Sequence, residues 1–367
     1  MNMKDVAVVA GTRPEIIKMA PLIKALQKRG IPLIFIHCGQ HYDYVMAQQF
    51  IEELDLPQPD YNYKVKACSH GRQTARIIVN MERLLKETRP ALVLVEGDTN
   101  GVLATALAAT KLGIPVGHVE AGLRSFDLRM PEEHNRKLTD HLSAYLFAPT
   151  KNAENNLKRE SVWGKIYITG NTVIDAVIQH IPTAEKKSRI LEKIIFERFA
   201  LATVHRAENV DNPAVLKNLM EAFMESPIPI VCPLHPRTKK RLRQTGLYAK
   251  VKKSGKLQLL PPVGYLDFLM LMKKSEIILT DSGGVQEEAT APQIRKRVLV
   301  LRLTTERPEA VEAGFSKIVG TEKQNILEAL RMTLDDPDDL PMQSPYGRGD
   351  SAEKIADIIE GEIYGQL

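Results

Sequence analysis

The sequence holds only three cysteines, Cys38, Cys68 and Cys232, in 367 residues. They are odd in number, widely spaced and without a partner at metal-ligand spacing, which argues against a disulfide framework and a zinc site. Aromatic residues make up 5% of the chain and nowhere interleave with basic ones, so no stacking platform for single-stranded nucleic acid is present. No stretch approaches the ~20 apolar residues that a membrane span needs. Val6–Ala10 is too short for the apolar core of a signal peptide. Charge is nearly balanced, at 50 basic against 45 acidic residues. The clusters Lys239-Lys240-Arg241 and Lys250 to Lys253 read as solvated helix faces. A cytoplasmic protein is expected, with neither nucleic acid nor a membrane as partner.

What is present is a rhythm. Short apolar runs at Val6–Ala10, Leu33–His37, Leu92–Glu96, Val116–Glu120, Leu146–Ala148 and Ile166–Thr169 alternate with helical patterns. The second half repeats this with Phe199–Val204, Ile228–Cys232, Leu257–Leu260, Ile277–Thr280 and Val298–Leu301. Such alternation predicts α/β architecture with parallel sheets covered by helices on both faces. A chain of this length exceeds one core. Two Rossmann-like doubly wound domains facing across a cleft are therefore expected: residues 1–170 plus a last helix at about 351–367, and residues 171–350.

Polar residues gather where the runs end, the edge at which doubly wound folds bind ligands. Asp281-Ser282-Gly283-Gly284 follows an apolar run and opens a helix. Glycines admit an anion to the backbone, Ser282 adds a hydroxyl, and the first helical turn favours negative charge, a combination suited to a diphosphate. Glu288, about one turn on, can accept hydrogen bonds from a ribose diol. Thr12-Arg13-Pro14-Glu15 reads as a capping box, Thr12 at the N-cap and Glu15 at the third helical position. Arg13 and Lys18 sit at the helix end where the macrodipole disfavours cations, which an anionic ligand would explain. Asp98 and Glu120 stand at or beside strand ends, and Glu132 and Arg136 share a helix face. The three carboxylates suit general acid/base work and stabilisation of an oxocarbenium-like centre. His205 and His235 follow strands and are candidates for phosphate or substrate contact, and Phe268 for the lining of a base pocket. Gly11-Thr12-Arg13-Pro14 is not a dinucleotide glycine fingerprint, and neither a metal nor another cofactor is expected.

Together, Gly11-Thr12-Arg13-Pro14-Glu15-Ile16-Ile17-Lys18, Gly97-Asp98-Thr99, His118-Val119-Glu120-Ala121-Gly122-Leu123-Arg124, Pro131-Glu132-Glu133, Thr169-Gly170-Asn171-Thr172, Asp281-Ser282-Gly283-Gly284 and Thr305-Glu306-Arg307-Pro308-Glu309 resemble the non-hydrolysing UDP-N-acetylglucosamine 2-epimerases. The motifs run from residue 8 to about 310 in the family's order. The resemblance implies a glycosyltransferase-B-like fold, a homodimer and a UDP-N-acetyl sugar substrate. It implies reversible C2 inversion, UDP-GlcNAc to UDP-ManNAc, by elimination of UDP to 2-acetamidoglucal and re-addition.

Carried over by position, Asp98, Glu120 and Glu132 are the family's carboxylates, with Asp98 and Glu120 as the proton-transfer pair, and His205 is its catalytic or phosphate-contacting histidine. Arg13, Lys18, Arg136, Ser282, Gly283 and Gly284 resemble diphosphate or sugar ligands. Glu288 resembles the ribose ligand, Phe268 the uracil-side contact and Arg307 a further substrate contact. Gln40 and His41 match a segment that in bacterial members binds a second, regulatory UDP-GlcNAc. Two positions depart. Asp43 replaces a glutamine of that segment, so allosteric control does not follow from the resemblance. Ala291 to Arg297 lacks the glycine of the family's Pro-x-x-Gly-Lys-Pro turn and reads as a longer loop.

A UDP-diacetamido-glucuronate 2-epimerase and a hydrolysing epimerase would share most of these groups. A UDP-sugar sensor would be expected to lack some of the carboxylates, and all are present. A glycosyltransferase would need an acceptor site that the sequence does not offer.

Overall fold

A computed structural model describes residues 4–40, 44–65, 68–335 and 340–365. His41 and Asp43 lie outside them. The chain divides into two compact units, residues 1–176 with 346–367, and residues 177–345; the expected boundaries were 170/171 and 350/351.

The first unit runs β1 (Val6–Ala10), α1 (Arg13–Lys28), β2 (Leu33–His37), α2 (Tyr44–Glu53), β3 (Tyr61–Asn62), α3 (His70–Thr88) and β4 (Leu92–Glu96). It continues with α4 (Asn100–Lys111), β5 (Val116–Val119), α5 (Pro131–Leu142), β6 (Tyr145–Ala148), α6 (Lys151–Arg159), β7 (Lys165–Ile168) and the start of α7 (Thr172–Lys187). Seven parallel strands lie in the order β3-β2-β1-β4-β5-β6-β7. All of Val6–Ala10 and Leu92–Glu96 is buried, as a strand covered on both faces must be. Val8 pairs with Phe35 on one side and Leu94 on the other. Order reverses between β1 and β4, so the crevice that binds ligands in such sheets lies at their carboxyl ends.

The second unit contains β8 (Ala200–Thr203), α8 (Ala207–Val210), α9 (Pro213–Met224), β9 (Ile230–Pro233), α10 (Pro236–Gln244), α11 (Leu247–Lys252) and β10 (Leu257–Leu260). It adds α12 (Tyr265–Lys274), β11 (Ile278–Thr280), α13 (Gly283–Glu288), β12 (Val298–Val300), α14 (Pro308–Glu312), β13 (Ser316–Ile318) and α15 (Lys323–Asp335). Its six parallel strands follow the order β10-β9-β8-β11-β12-β13 and switch between β8 and β11. One core of Leu216, Leu219, Phe223, Ile230, Leu279 and Ile326 fills it, each such side chain contributing about 1.5–3 kcal/mol. The last helix, α16 (Ser351–Ile359), belongs to the first unit and packs on α1. Arg29 clamps it, 2.5 Å from both Glu353 and Asp357.

The doubly wound α/β architecture expected from the apolar runs is present in both units. β3 and β13 were not anticipated; they have two and three residues and too little apolar character to register as strands. The capping box also differs. Thr12 makes no side-chain cap bond, and Glu15 Oε2 accepts from Gly11 N at 2.6 Å. Within the 291–297 segment Arg295 has φ +47°, and its Nε donates to Leu340 O at 3.1 Å.

Candidate active site

In the first unit the site is built on the loops that follow β1, β4 and β5. Glu120, one residue past β5, has φ +67°, the left-handed region. A non-glycine residue there costs on the order of 1–3 kcal/mol and marks a side chain held for a purpose. Two residues on, Gly122 has φ +84°, and a Cβ on it would lie 2.3 Å from Ala153 O, so only glycine closes this turn.

Lys18 of α1 is buried and donates to Glu120 Oε2. Asn171 Nδ2 donates to the same oxygen at 2.9 Å. Asn171 is itself fixed, its N–H donating to Tyr346 O at 2.7 Å. The Lys18 ammonium also lies 3.1 Å from Glu96 Oε1, at the end of β4. Burial pushes the Glu96 carboxyl well above the ordinary carboxylate range; Lys18 opposes this, and Glu120 and Glu15 add to it. Burial likewise pushes Glu15 up to about 7, against hydrogen bonds from Gly11, Thr99 and Thr12.

Asp98 follows two residues after Glu96 and is partly exposed. Its carboxylate accepts from Arg136 Nη2, and its carbonyl accepts from Asn135 Nδ2 at 3.0 Å. Arg136 Nη1 in turn donates to Glu133 Oε2 at 2.9 Å. Glu133 is wholly buried and accepts from Ser125 N, Ser125 Oγ and Phe126 N, which folds that loop over the start of α5. Glu132 points the other way. It is exposed and makes no side-chain hydrogen bond or ion pair among the described residues. The loops themselves are fixed by His118, with Nδ1 2.7 Å from Asp140 Oδ1 and Nε2 2.8 Å from Gly97 O. Arg13 lies over the Phe50 ring at 4.3 Å. Gln40 Oε1 accepts from Gly101 N at 2.5 Å, which ties the loop after β2 to α4.

In the second unit Asp281 organises the edge. Fully buried, it accepts from His205 N, Arg206 N and Asn209 Nδ2, at 3.0, 2.9 and 3.1 Å. The His205 Nδ1 lies 3.2 Å from Asp281 Oδ1, and its ring is 5.6 Å from that of His235. His235 Nδ1 accepts from Arg237 N at 3.2 Å and caps α10. Ser282 is the N-cap of α13 but makes no side-chain cap bond. A Cβ on Gly283 would lie 2.6 Å from Glu306 Oε1 and 3.7 Å from Arg307 Cζ, whereas Gly284 faces open space. Glu306 accepts from Arg206 at 2.8 Å and Arg302 at 2.5 Å. Arg307 Nε lies 2.6 Å from Glu287 Oε1. Glu288 is buried on α13, and Phe268 is buried on α12.

The structure therefore joins Lys18 with Glu120, Asp98 with Arg136, and His205 with His235. It sets Glu132 apart from the first two groups. Glu96, Glu133, Asn171, Asp281 and Glu306 were not singled out from the sequence as site residues. Glu133, Asn171, Asp281 and Glu306 lie inside motifs quoted for the resemblance, and Glu96 ends an apolar strand, a signal that applies equally to buried structural acids.

Two doubly wound parallel sheets with acids, cations and glycine turns at their carboxyl edges place the chain in the two-domain Rossmann-like class. The model of the UDP-N-acetylglucosamine 2-epimerase family matches residues 24–360. A UDP-N-acetylglucosamine 2-epimerase of Methanocaldococcus jannaschii is 47% identical over 96% of this chain and 98% of its own. A UDP-2,3-diacetamido-2,3-dideoxy-D-glucuronate 2-epimerase of Pseudomonas aeruginosa is 39% identical, covering 96% and 98%. Among solved structures, the M. jannaschii enzyme in complex with UDP-GlcNAc and UDP superposes with a TM-score of 0.90 at 46% identity, covering 97% of this chain and 99% of that one. The Neisseria meningitidis enzyme bound to UDP-GlcNAc gives 0.87 at 38% identity, with the same coverage. The chain belongs to the UDP-N-acetylglucosamine 2-epimerase family.

Proposed function

We propose that the chain interconverts UDP-N-acetylglucosamine and UDP-N-acetylmannosamine by reversible inversion at C2 without net hydrolysis. The observation that carries this is the buried contact of Lys18 with Glu120, a carboxylate held in left-handed backbone at the carboxyl edge of the first sheet. The identity to the M. jannaschii epimerase, higher than to the diacetamido-glucuronate enzyme, favours the N-acetylglucosamine sugar.

C2–H has no neighbouring carbonyl to acidify it, so cleavage of C1–O must develop positive charge before or as the proton leaves. Asp98 and Glu120 act as the proton-transfer pair, one removing the C2 proton and the other returning it to the opposite face. Lys18 and Asn171 hold Glu120, and Arg136 holds Asp98, so neither carboxylate must reorganise during the reaction. On the resemblance alone Glu132 is assigned the charge at C1; its side chain is exposed on α5 and apart from Asp98 and Glu120. UDP leaves, stays bound and adds back to the 2-acetamidoglucal. Arg13, Ser282, Gly283 and Gly284 serve the diphosphate, Glu288 the ribose and Phe268 the uracil side. His205, oriented by Asp281, serves the leaving oxygen, with His235 and Arg307 as further contacts. The two units, residues 1–176 with 346–367 and residues 177–345, act as the two domains of a cytoplasmic homodimer, whose mass sedimentation would report.

The test is proton NMR of the purified protein with UDP-GlcNAc in D₂O. A second anomeric signal from UDP-ManNAc, with deuterium incorporated at C2, is expected. Free ManNAc would identify a hydrolysing enzyme. An unchanged spectrum would refute this substrate, and conversion of the diacetamido-glucuronate alone would establish the second reading.

A further inference from the structure

Lys18 is one ammonium between two buried carboxyl groups. Glu96 and Glu120 are 1% and 8% exposed, and a third buried acid, Glu15, lies three residues before Lys18 on the same helix. The groups acting on Glu96 are Lys18 and Glu15 from α1 and Glu120 from the loop after β5; Asn171 adds a neutral donor to Glu120. If all three acids were ionised, three negative charges would gather about the Lys18 ammonium away from water. Like charges at such range are relieved when one or more keeps its proton. Glu120 takes the Lys18 contact and the Asn171 bond, so it is the acid stabilised as a carboxylate. Among the described residues Glu96 has only the longer approach to Lys18, at 3.1 Å.

We propose that Glu96 is a positioning residue for Glu120, an uncharged acid that holds the Lys18 ammonium in place while leaving its charge to Glu120. This deepens the reading of Glu120 as a proton-transfer group and rests on it. The consequence is a pH effect with a definite sign. Raising the pH ionises Glu96, a second carboxylate then competes for Lys18, and Glu120 loses part of the ion pair that holds it in place. Activity therefore falls on the alkaline side for a reason located at residue 96.

The test compares wild type with Glu96→Gln, Glu96→Leu and Glu15→Gln as full-length protein. Infrared spectra of ¹³C-glutamate-labelled protein at neutral pH are expected to show a protonated carboxyl band that disappears in Glu96→Gln and is distinct from any band lost in Glu15→Gln. In the epimerisation assay, Glu96→Gln should keep kcat/KM within roughly threefold at neutral pH and move the alkaline limb up by about one pH unit or more. Glu96→Leu, which has no oxygen to face Lys18, should lower kcat on the order of tenfold with KM unchanged. An acid band untouched by Glu96→Gln, or pH profiles of wild type and Glu96→Gln that superimpose, would overturn the proposal. If the wild type leaves UDP-GlcNAc unchanged while the band is lost in Glu96→Gln, the proposed substrate falls and the uncharged Glu96 beside Lys18 stands.

Discussion

Replacing Gly283 by alanine places a methyl carbon 2.6 Å from Glu306 Oε1. The carboxylate must retreat by roughly 0.8 Å to reach ordinary contact, and it is not a loose chain end. Glu306 is 3% exposed and clamped between Arg206 at 2.8 Å and Arg302 at 2.5 Å, so a retreat from Gly283 lengthens at least one of these bonds. A hydrogen bond between charged groups contributes about 1.5–3 kcal/mol, and losing most of one sets the cost at about 2 kcal/mol. For a domain of this size that lowers the melting temperature by roughly 4–8 °C. Gly284 is the internal control. It has the same helix and the next position, but nothing lies within 4 Å of its added Cβ. Gly284→Ala should be neutral or stabilising by up to about 1 kcal/mol, since alanine is the better helix former. Urea and thermal unfolding of the two variants beside wild type decide it. A Gly283→Ala protein as stable as Gly284→Ala would refute the claim that Glu306 is rigidly held.

Asn171→Ala removes the amide that donates to Glu120 at 2.9 Å; epimerisation is expected to fall about 10- to 100-fold, with UDP affinity by calorimetry unchanged. Glu15 has a folded-state value near 7 against an ordinary 4.5, so the folded protein binds the extra proton between those values. Stability therefore falls as pH rises from about 4.5 to 7 by about 3 kcal/mol from this group. Glu15→Gln should flatten that decline and unfold at higher urea than wild type at pH 8. At position 295, φ +47° strains any side chain, and Arg295 recovers part of the cost through Leu340 O. Arg295→Gly should change stability by less than about 1 kcal/mol because strain relief and bond loss oppose. Arg295→Val, β-branched and without the bond, should lose about 2–3 kcal/mol in the same urea assay.

Apolar runs such as Val6–Ala10 and Leu257–Leu260 were legible because a parallel strand buried on both faces is apolar at every position. The edge strand Tyr61–Asn62 was not, since two residues with one side toward water carry no such signature. Orientation was harder than existence. Glu132 and Glu133 are adjacent on α5, about 100° apart around the helix, and the segment from Pro131 to Leu142 has too few apolar residues to say which acid turns inward. Only the Ser125 and Phe126 donors assign the buried place to Glu133. Glu15 read as a cap for Thr12, and its carboxylate accepts from Gly11 N as well. Asp281 was read as the leader of a glycine turn. Its three donors come from residues more than seventy positions away, and nothing local in the sequence announces them.

Asn171 is anchored by the carbonyl of Tyr346, and in the same C-terminal stretch α16 is capped by Asp175, whose Oδ1 accepts from Ala352 N at 2.9 Å, and clamped to α1 by Arg29. During synthesis those partners emerge about 175 residues after Asn171, roughly 10–35 s later at ribosomal speeds. Through that interval the second unit can fold around its own core while Glu120 waits for its amide. A chain cut short before Tyr346 would carry every candidate catalytic side chain and still lack the support that orders one of them, so translation itself withholds a finished site until the last helix is made.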